Sequence, residues 1–216
     1  RQIYLAPDGA LSWNLPTYIK TGSFSEYVSD PAKPVPYTED VHFRRTREYM
    51  TDDQRFASRR PDVLTFETDV LDEDLTLAGP VIANLKVSIS GTDADFVVKV
   101  IDVFPDNFQY SEANSSPTGR SGVASYPMNG YQMLVRGEIM RGKFRNSFTT
   151  PEPFKPNKIE TVEFALPDVA HTFKKGHRLM IQVQSSWFPL ADRNPQQFMN
   201  IYEAKPVDFK KATIKI

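Results

Sequence analysis

Residues 81–103, VIANLKVSISGTDADFVVKVIDV, contain the pattern that decides the predicted fold. From Val81 to Ile89 apolar residues alternate with mainly polar ones, which is the period-2 pattern of a strand buried on one face. From Phe96 to Val103 nearly every residue is apolar and most are β-branched. That run predicts a central strand covered on both faces.

Similar strand patterns continue towards the C terminus, at residues 131–139, 161–166, 179–184 and 212–216. Helix signals are scarce, and the best of them predicts one or two turns from Asp168 to Lys175, with Gly176 as the stop. Many short strands separated by turn residues favour an all-β, antiparallel β-sandwich of the jelly-roll type, with at most two short helices.

The inward-facing positions of these strands form the predicted core of the sandwich. They are Leu85, Val87, Phe96, Val98, Val100, Val162, Phe164, Leu179, Ile181 and Val183.

Residues 1–60 differ from this pattern and are interpreted as a loop-rich lead-in to a main sandwich at 61–216. A hairpin is predicted at residues 3–13, around the turn Pro7-Asp8-Gly9. The prolines of 30–36 force extended backbone, and residues 41–60 are basic and without a regular pattern.

The composition excludes several classes of function. The 216 residues carry 26 basic and 27 acidic side chains, so nothing points to a nucleic-acid partner. The absence of cysteine removes disulfides and thiolate chemistry, and no apolar run approaches the roughly 18 residues of a membrane helix. Because the sequence begins at Arg1 rather than Met, we expect a fragment or a processed product of a longer protein.

Catalytic and metal-binding motifs are weak throughout. Gly119-Arg120-Ser121-Gly122-Val123 is the nearest approach to a nucleophile elbow, but it lacks the final glycine, so Ser121 is not expected to be catalytic. The three histidines, His42, His171 and His177, have no zinc-type spacing, and we predict neither a metal nor a cofactor. His177 is interpreted as a turn histidine bonded to nearby backbone.

The run at 185–195, SSWFPLADRNP, is the most distinctive of the chain. We expect Asp192 and Arg193 to fix a rigid loop between its prolines through charge-assisted hydrogen bonds. The aromatic residues, with Trp13 and Trp187 among them, leave open a carbohydrate-binding module as an alternative, although such rings more often belong to a core.

Several runs, taken in order, resemble one protein family. They are Tyr27-Val28-Ser29-Asp30-Pro31 with Pro34-Val35-Pro36, Asp53-Gln54-Arg55, Arg60-Pro61-Asp62-Val63-Leu64, Leu77-Ala78-Gly79-Pro80, Thr92-Asp93-Ala94-Asp95-Phe96, Asp102-Val103-Phe104-Pro105-Asp106, Gly176-His177-Arg178 and the run at 185–195. Together they resemble the C-terminal, non-catalytic domain of the X-Pro dipeptidyl-peptidase-like serine hydrolases, which include cocaine esterase, glutaryl-7-aminocephalosporanic acid acylase-like hydrolases and α-amino acid ester hydrolases. Residues 41–58 resemble the α-amino acid ester hydrolase branch most.

The resemblance implies a jelly roll similar to galactose-binding-like folds. It also implies a parent enzyme that acts on acyl amino acid esters, amides or X-Pro peptides, with a Ser-Asp-His triad on an α/β-hydrolase domain N-terminal to Arg1. The partners implied are that catalytic domain and its helical cap, in a parent that is periplasmic or secreted and can be a homo-oligomer. The chain alone is then expected to be no enzyme.

Two sets of residues follow from the resemblance. Val41, His42 and Phe43 are expected at the rim of the substrate pocket of the parent, with Phe43 as the aromatic that shapes it. The residues expected to serve as an interdomain or structural motif are Asp95, Asp102, His177, Arg178, Trp187, Phe188, Asp192 and Arg193.

Overall fold

A computed structural model describes residues 1–16, 23–42, 44, 46–110 and 127–216. Its strands are β1 Tyr4–Leu5, β2 Leu11–Ser12, β3 Glu26–Ser29, β4 Val63–Glu67, β5 Leu75–Ile89, β6 Asp95–Val103, β7 Gln132–Arg141, β8 Glu160–Phe173, β9 Arg178–Gln184 and β10 Ala212–Lys215. The one α-helix of the described ranges is α1, Arg55–Ser58, and 3-10 turns lie at Pro7–Gly9, Glu48–Met50, Gly142–Phe144, Ile201–Glu203 and Pro206–Asp208. None of these helices is long and apolar enough to span a membrane.

Two four-stranded sheets pack face to face. Sheet I has the order β3-β10-β5-β8 and sheet II the order β4-β9-β6-β7, and neighbouring strands in both are antiparallel. The predicted hairpin is present as β1 and β2. The prediction of an all-β antiparallel sandwich is therefore confirmed, and residues before 61 contribute β3 to sheet I.

The core lies between the two sheets and contains nearly all the residues predicted for it. Nine of the predicted side chains are buried in it: Leu85, Val87, Phe96, Val98, Val100, Val162, Phe164, Leu179 and Val183. Ile181 packs against the same core but is only partly buried.

Sheet II is also buried on its outer face, because the described residues between 35 and 58, which leave out 43 and 45, lie across it. We call this segment the covering layer; its Val35 and Ala57 pack with Val63 of β4, and its Tyr37 packs with Val97 of β6. All nine residues of β6 are buried, as the sequence predicts. The alternation on β9 suggests one buried face, but its polar-face residues, Met180, Gln182 and Gln184, are buried as well.

The predicted helix at Asp168–Lys175 is wrong. These residues extend β8 to Phe173, where it pairs with the first half of β5 beyond a bulge at Gly79 and Val81. Sheet pairing thus overrides a weak local helix signal. The predicted stop is present, since Gly176 has φ of 89° in the turn that leads to β9.

Candidate functional site

Residues 38–46, which we call the rim loop, belong to the covering layer and contain the residues expected at the pocket rim. Val41 is 99% exposed, and His42 is partly buried. Phe43 lies outside the described residues.

Both ends of the rim loop are hydrogen-bonded to other residues of the covering layer. The main-chain N–H of Glu39 donates to the carboxylate of Asp52 at 3.1 Å. At the other end, the N–H of Thr46 donates to the hydroxyl of Tyr37 at 3.4 Å. The tip around Val41 is therefore presented to solvent from a fixed base.

Aromatic rings connect that base to the distinctive run at 185–195. The ring centroids of Tyr37 and Tyr49 are 5.6 Å apart, and Tyr49 meets Trp187 edge to face at 6.0 Å. Trp187 is only 6% exposed. Since such ring pairs contribute about 0.5–1.5 kcal/mol beyond their buried area, Trp187 supports the segment that carries the rim loop.

A cleft of about 380 Å³ opens beside Tyr49 and Met50 on the same face of the molecule. Trp187 and the apolar side chains of β7, among them Ile139, form part of its lining, together with Leu190. Arg136 and Glu138 also line the cleft, so its surface is partly polar.

A buried polar network lies around Asp95, at the first residue of β6. Arg141 donates to both of its carboxylate oxygens at 3.1 Å. The side-chain amide of Asn194 donates to Asp95 at 2.8 Å and to Asp93 at 3.1 Å, and Asp93 also accepts the N–H of Lys143 at 2.9 Å. Burial raises the pKa of Asp95, and burial together with the charge of Asp95 raises the pKa of Asp93 to about 6.

The two charged residues of the loop that follows β9 make different hydrogen bonds. Arg193 donates to the carbonyl of Pro31 at 2.9 Å and lies 5.6 Å above the ring of Phe188. Asp192 contributes its main-chain oxygen, which accepts a hydrogen bond from Arg141 at 2.9 Å, while the residue itself is exposed. The loop is thereby joined to the Asp95 network.

Asp102 forms a second cluster, with two histidines. Its carboxylate accepts hydrogen bonds from Nδ1 of His177 at 2.7 Å and from Nε2 of His171 at 2.9 Å. The side chain of His177 therefore bonds to a carboxylate rather than to the backbone that the sequence suggested. Since His171 lies on β8 and Asp102 on β6, the cluster joins the two sheets. Arg178 is exposed, with its guanidinium 3.7 Å from the carboxylate of Glu67.

The predicted motif residues thus fall into two groups at opposite ends of β6. Asp95 begins this strand and Asp102 lies seven residues later, which corresponds to about 23 Å along a strand. The first end has the Asp95 network and the run at 185–195; the second has His177 and Arg178. The structure does not join them into one site, and their functional role remains a prediction.

The sequence reasoning missed Lys99, which is fully buried at the centre of β6. The amine Nζ donates to Oε1 of Gln54 in the covering layer at 2.9 Å. A signal for it was present, because a lysine inside a strand predicted to be covered on both faces has to be buried.

A catalytic centre is not apparent in the ranges that the structure describes. His171 and His177 both bond to Asp102 there, and neither bonds to a serine. No group of three or more acidic, histidine or cysteine side chains in those ranges is arranged to hold a metal ion. Ser121 lies outside the described residues.

Comparisons with known proteins place the chain in a family. The model of the X-Pro dipeptidyl-peptidase C-terminal non-catalytic domain matches residues 4–213. Cocaine esterase of Rhodococcus sp. (strain MB1 Bresler) is 32% identical over 174 residues, which are 81% of this chain and 26% of the esterase.

Solved structures agree with this assignment. An aminopeptidase from the marine sediment archaeon Thaumarchaeota archaeon superposes with a TM-score of 0.86 and 42% identity, and an α-amino acid ester hydrolase with 0.85 and 44%. Each match covers 99% of this chain and 33% of the other, so the chain spans about a third of the length of these proteins. The resemblance inferred from the ordered motifs is confirmed, and the chain belongs to the family of X-Pro dipeptidyl-peptidase C-terminal non-catalytic domains.

Proposed function

We propose that this chain is the accessory C-terminal domain of a larger serine hydrolase, and that it packs on an α/β-hydrolase domain with a helical cap. In this role the rim loop reaches the mouth of the active site, where an apolar side chain excludes water and shapes the acyl pocket. Excluding water strengthens the electrostatic interactions that stabilise charge in the transition state. The substrates proposed are acyl amino acid esters, amides or X-Pro peptides.

The observation that carries the proposal is the exposure of Val41. It is 99% exposed at the tip of a loop whose two ends are hydrogen-bonded to the covering layer. Single exposed apolar side chains are common on protein surfaces. Val41 supports the proposal because it combines this exposure with the position that the family resemblance assigns to the pocket rim, where the catalytic domain would lie against it.

The test uses the full-length parent enzyme. Phe43→Ala and Val41→Ala are each expected to lower kcat/KM for the acyl donor by roughly 10-fold or more, the size of effect of losing a small apolar contact in a substrate pocket, with little change in melting temperature. Steady-state kinetics and thermal unfolding are measured on the same preparations.

Ile82→Ala is the matched control, because Ile82 is 54% exposed on the outer face of sheet I and is therefore remote from the rim loop. The proposal fails if the rim variants leave the kinetics unchanged. It also fails if their only effect is a large fall in melting temperature, since the loop would then be purely structural.

The carbohydrate-binding alternative needs exposed rings on which a sugar can stack. Trp187 is buried beneath the covering layer, and Trp13 is partly buried against the core. Both tryptophans are thus engaged in packing, so this alternative would have to use other exposed rings, such as that of Tyr202.

A further inference from the structure

Lys99 is a buried cation at the interface between sheet II and the covering layer. Its side chain is 0% exposed, on a strand with no solvent-facing residue. Its amine donates to Gln54 at 2.9 Å and lies 5.5 Å from the ring of Trp187 and 5.8 Å from that of Phe56. An ammonium with one hydrogen-bond acceptor and two aromatic faces is poorly compensated for the water it loses.

The residues paired with Lys99 on the two neighbouring strands carry no charge. On β9 the residue opposite is the neutral Gln182, whose side-chain oxygen is buried without a partner. On β7 the residue opposite is Gly137, where an added Cβ would come within 3.0 Å of Trp187. The space around the amine is therefore closed as well as uncharged.

Three charged groups of the neighbouring elements have hydrogen-bond partners other than Lys99. On β7, Glu138 accepts the N–H of Ile139 at 2.8 Å, and Arg136 donates to the carbonyl of Asp168. In the covering layer, the carboxylate of Asp53 accepts from Nε of Arg55 at 2.6 Å. In the described part of the chain no acidic side chain forms an ion pair with Lys99. Burial alone lowers its pKa, to about 7.

Hydrogen bonds lead from Lys99 to the base of the rim loop. The side chain of Gln54 accepts the hydrogen bond from the Lys99 amine, and its Nε2 donates to the carbonyl of Asp52 at 3.0 Å. The carboxylate of Asp52 accepts the N–H of Glu39, at the start of the rim loop. Trp187, which lies over the amine, contacts Tyr49 in the same layer.

We propose that Lys99 is a pH-sensitive positioning residue: its neutral amine holds the covering layer on sheet II, and protonation favours release of the layer and loosens the base of the rim loop. Water solvates the amine when the layer opens. In the pH interval where the amine is neutral with the layer closed and charged with the layer open, opening therefore takes up a proton. Opening therefore becomes more favourable as pH falls through that interval. The consequence for the active-site mouth rests on the proposed function, whereas the response of the layer does not.

The first measurement is a titration of the lysine side chains of the full chain by NMR, with the side-chain signal of Lys99 assigned by through-bond correlation to its own backbone amide. Its midpoint is expected near pH 7 rather than near the ordinary value of about 10.5. A midpoint near 10.5 overturns the proposal. This measurement is made on the unsubstituted chain, so it does not depend on whether a substituted chain folds.

The second measurement is hydrogen exchange of the amides of Gln54, Ala57 and Ser58, which are bonded within the turns around α1 or across to β7. The opening constant is expected to rise by up to about tenfold per pH unit from pH 9 down to pH 7 and then to level off. Lys99→Met is expected to abolish this dependence, and Lys86→Met, an exposed lysine of sheet I, to retain it.

An opening constant that does not vary with pH overturns the proposal, as does an unchanged slope in Lys99→Met. Because both measurements are made on this chain without a substrate, their failure is distinct from a kinetic failure of the rim-loop variants.

Discussion

Asp93 and Asp95, two buried acidic residues where β6 begins, differ in the groups that stabilise their carboxylates. Their pKa values depend on this difference. Asp95 faces the guanidinium of Arg141, whereas the hydrogen bonds to the carboxylate of Asp93 come from neutral amide groups. Burial and the nearby charge of Asp95 therefore raise the pKa of Asp93 to about 6 from an ordinary 3.8.

This predicts a specific pH dependence for Asp93→Asn. Folded Asp93 binds its proton more tightly than the unfolded chain does, so its stabilising contribution is complete below pH 3.8 and is lost as pH rises through about 6. The free energy of unfolding of the unsubstituted chain should fall over this interval by about 3 kcal/mol relative to the variant. Urea unfolding at a series of pH values measures the difference.

Asp192→Asn is the control for that comparison, because the residue is exposed and only its main-chain oxygen joins the network. It should leave the pH dependence unchanged. If the curves of Asp93→Asn and of the unsubstituted chain run parallel from pH 4 to pH 6, the carboxylate of Asp93 is not the group that titrates.

At the scale of single elements, the sequence of a strand predicts its burial correctly when its own pattern of apolar residues matches what covers its two faces. β5 alternates because its outer face is solvated, and β6 is uniformly apolar because both faces are covered. β9 shows alternation yet is buried on both sides, since the covering layer packs on it with polar contacts such as Gln182 to the carbonyl of Gln54. The sequence of β9 alone does not show that a segment 128 residues away in the chain packs against this strand.

The same limit applies to the candidate site. Motif runs were sufficient to single out Asp95, Asp102 and Trp187, but not what each of them contacts. The spacing of His171 from the other histidines does not indicate its contact with Asp102, because the two residues are 69 positions apart in the sequence. Lys99 was visible as a lone cation in an apolar strand, but its acceptor Gln54 lies in a segment without a regular pattern.

The register of β8 gives a direct test at this scale. Phe164 is 7% exposed and belongs to the core between the sheets, so Phe164→Ala should lower the free energy of unfolding by about 3–5 kcal/mol. Ile82, on the partner strand β5, points to the opposite face, and Ile82→Ala should cost less than about 1 kcal/mol. Denaturant unfolding that gave similar losses for the two would contradict the register.

At the scale of the whole molecule, the two sheets have different outer surfaces. Sheet II is covered by the covering layer, so the molecule has three layers, namely sheet I, sheet II and the covering layer. The rim loop and the cleft both belong to the covered side of sheet II. The covering layer thus lies on the outer face of sheet II, whereas the strands of sheet I are exposed on their outer face.

From the absence of a nucleophile motif we predict that the chain alone hydrolyses neither a chromogenic ester nor an X-Pro peptide substrate. Product release should equal the uncatalysed background in a spectrophotometric assay, with the full-length parent as the positive control. Turnover that persists in repeatedly purified protein, including the variants Ser121→Ala and His177→Ala, would indicate a catalytic site elsewhere in the chain.

The uncovered outer face of sheet I has a practical consequence for handling the protein. Alternate residues of β5 and β8, such as Asn84, Lys86 and Glu163, are exposed there and pair with one another, and Lys86 donates to Thr161 at 2.6 Å. Substitutions at such positions usually change stability by no more than about 0.5 kcal/mol. A cysteine introduced there for a dye, or for immobilisation on a sensor chip, would therefore leave the opposite face oriented towards the analyte.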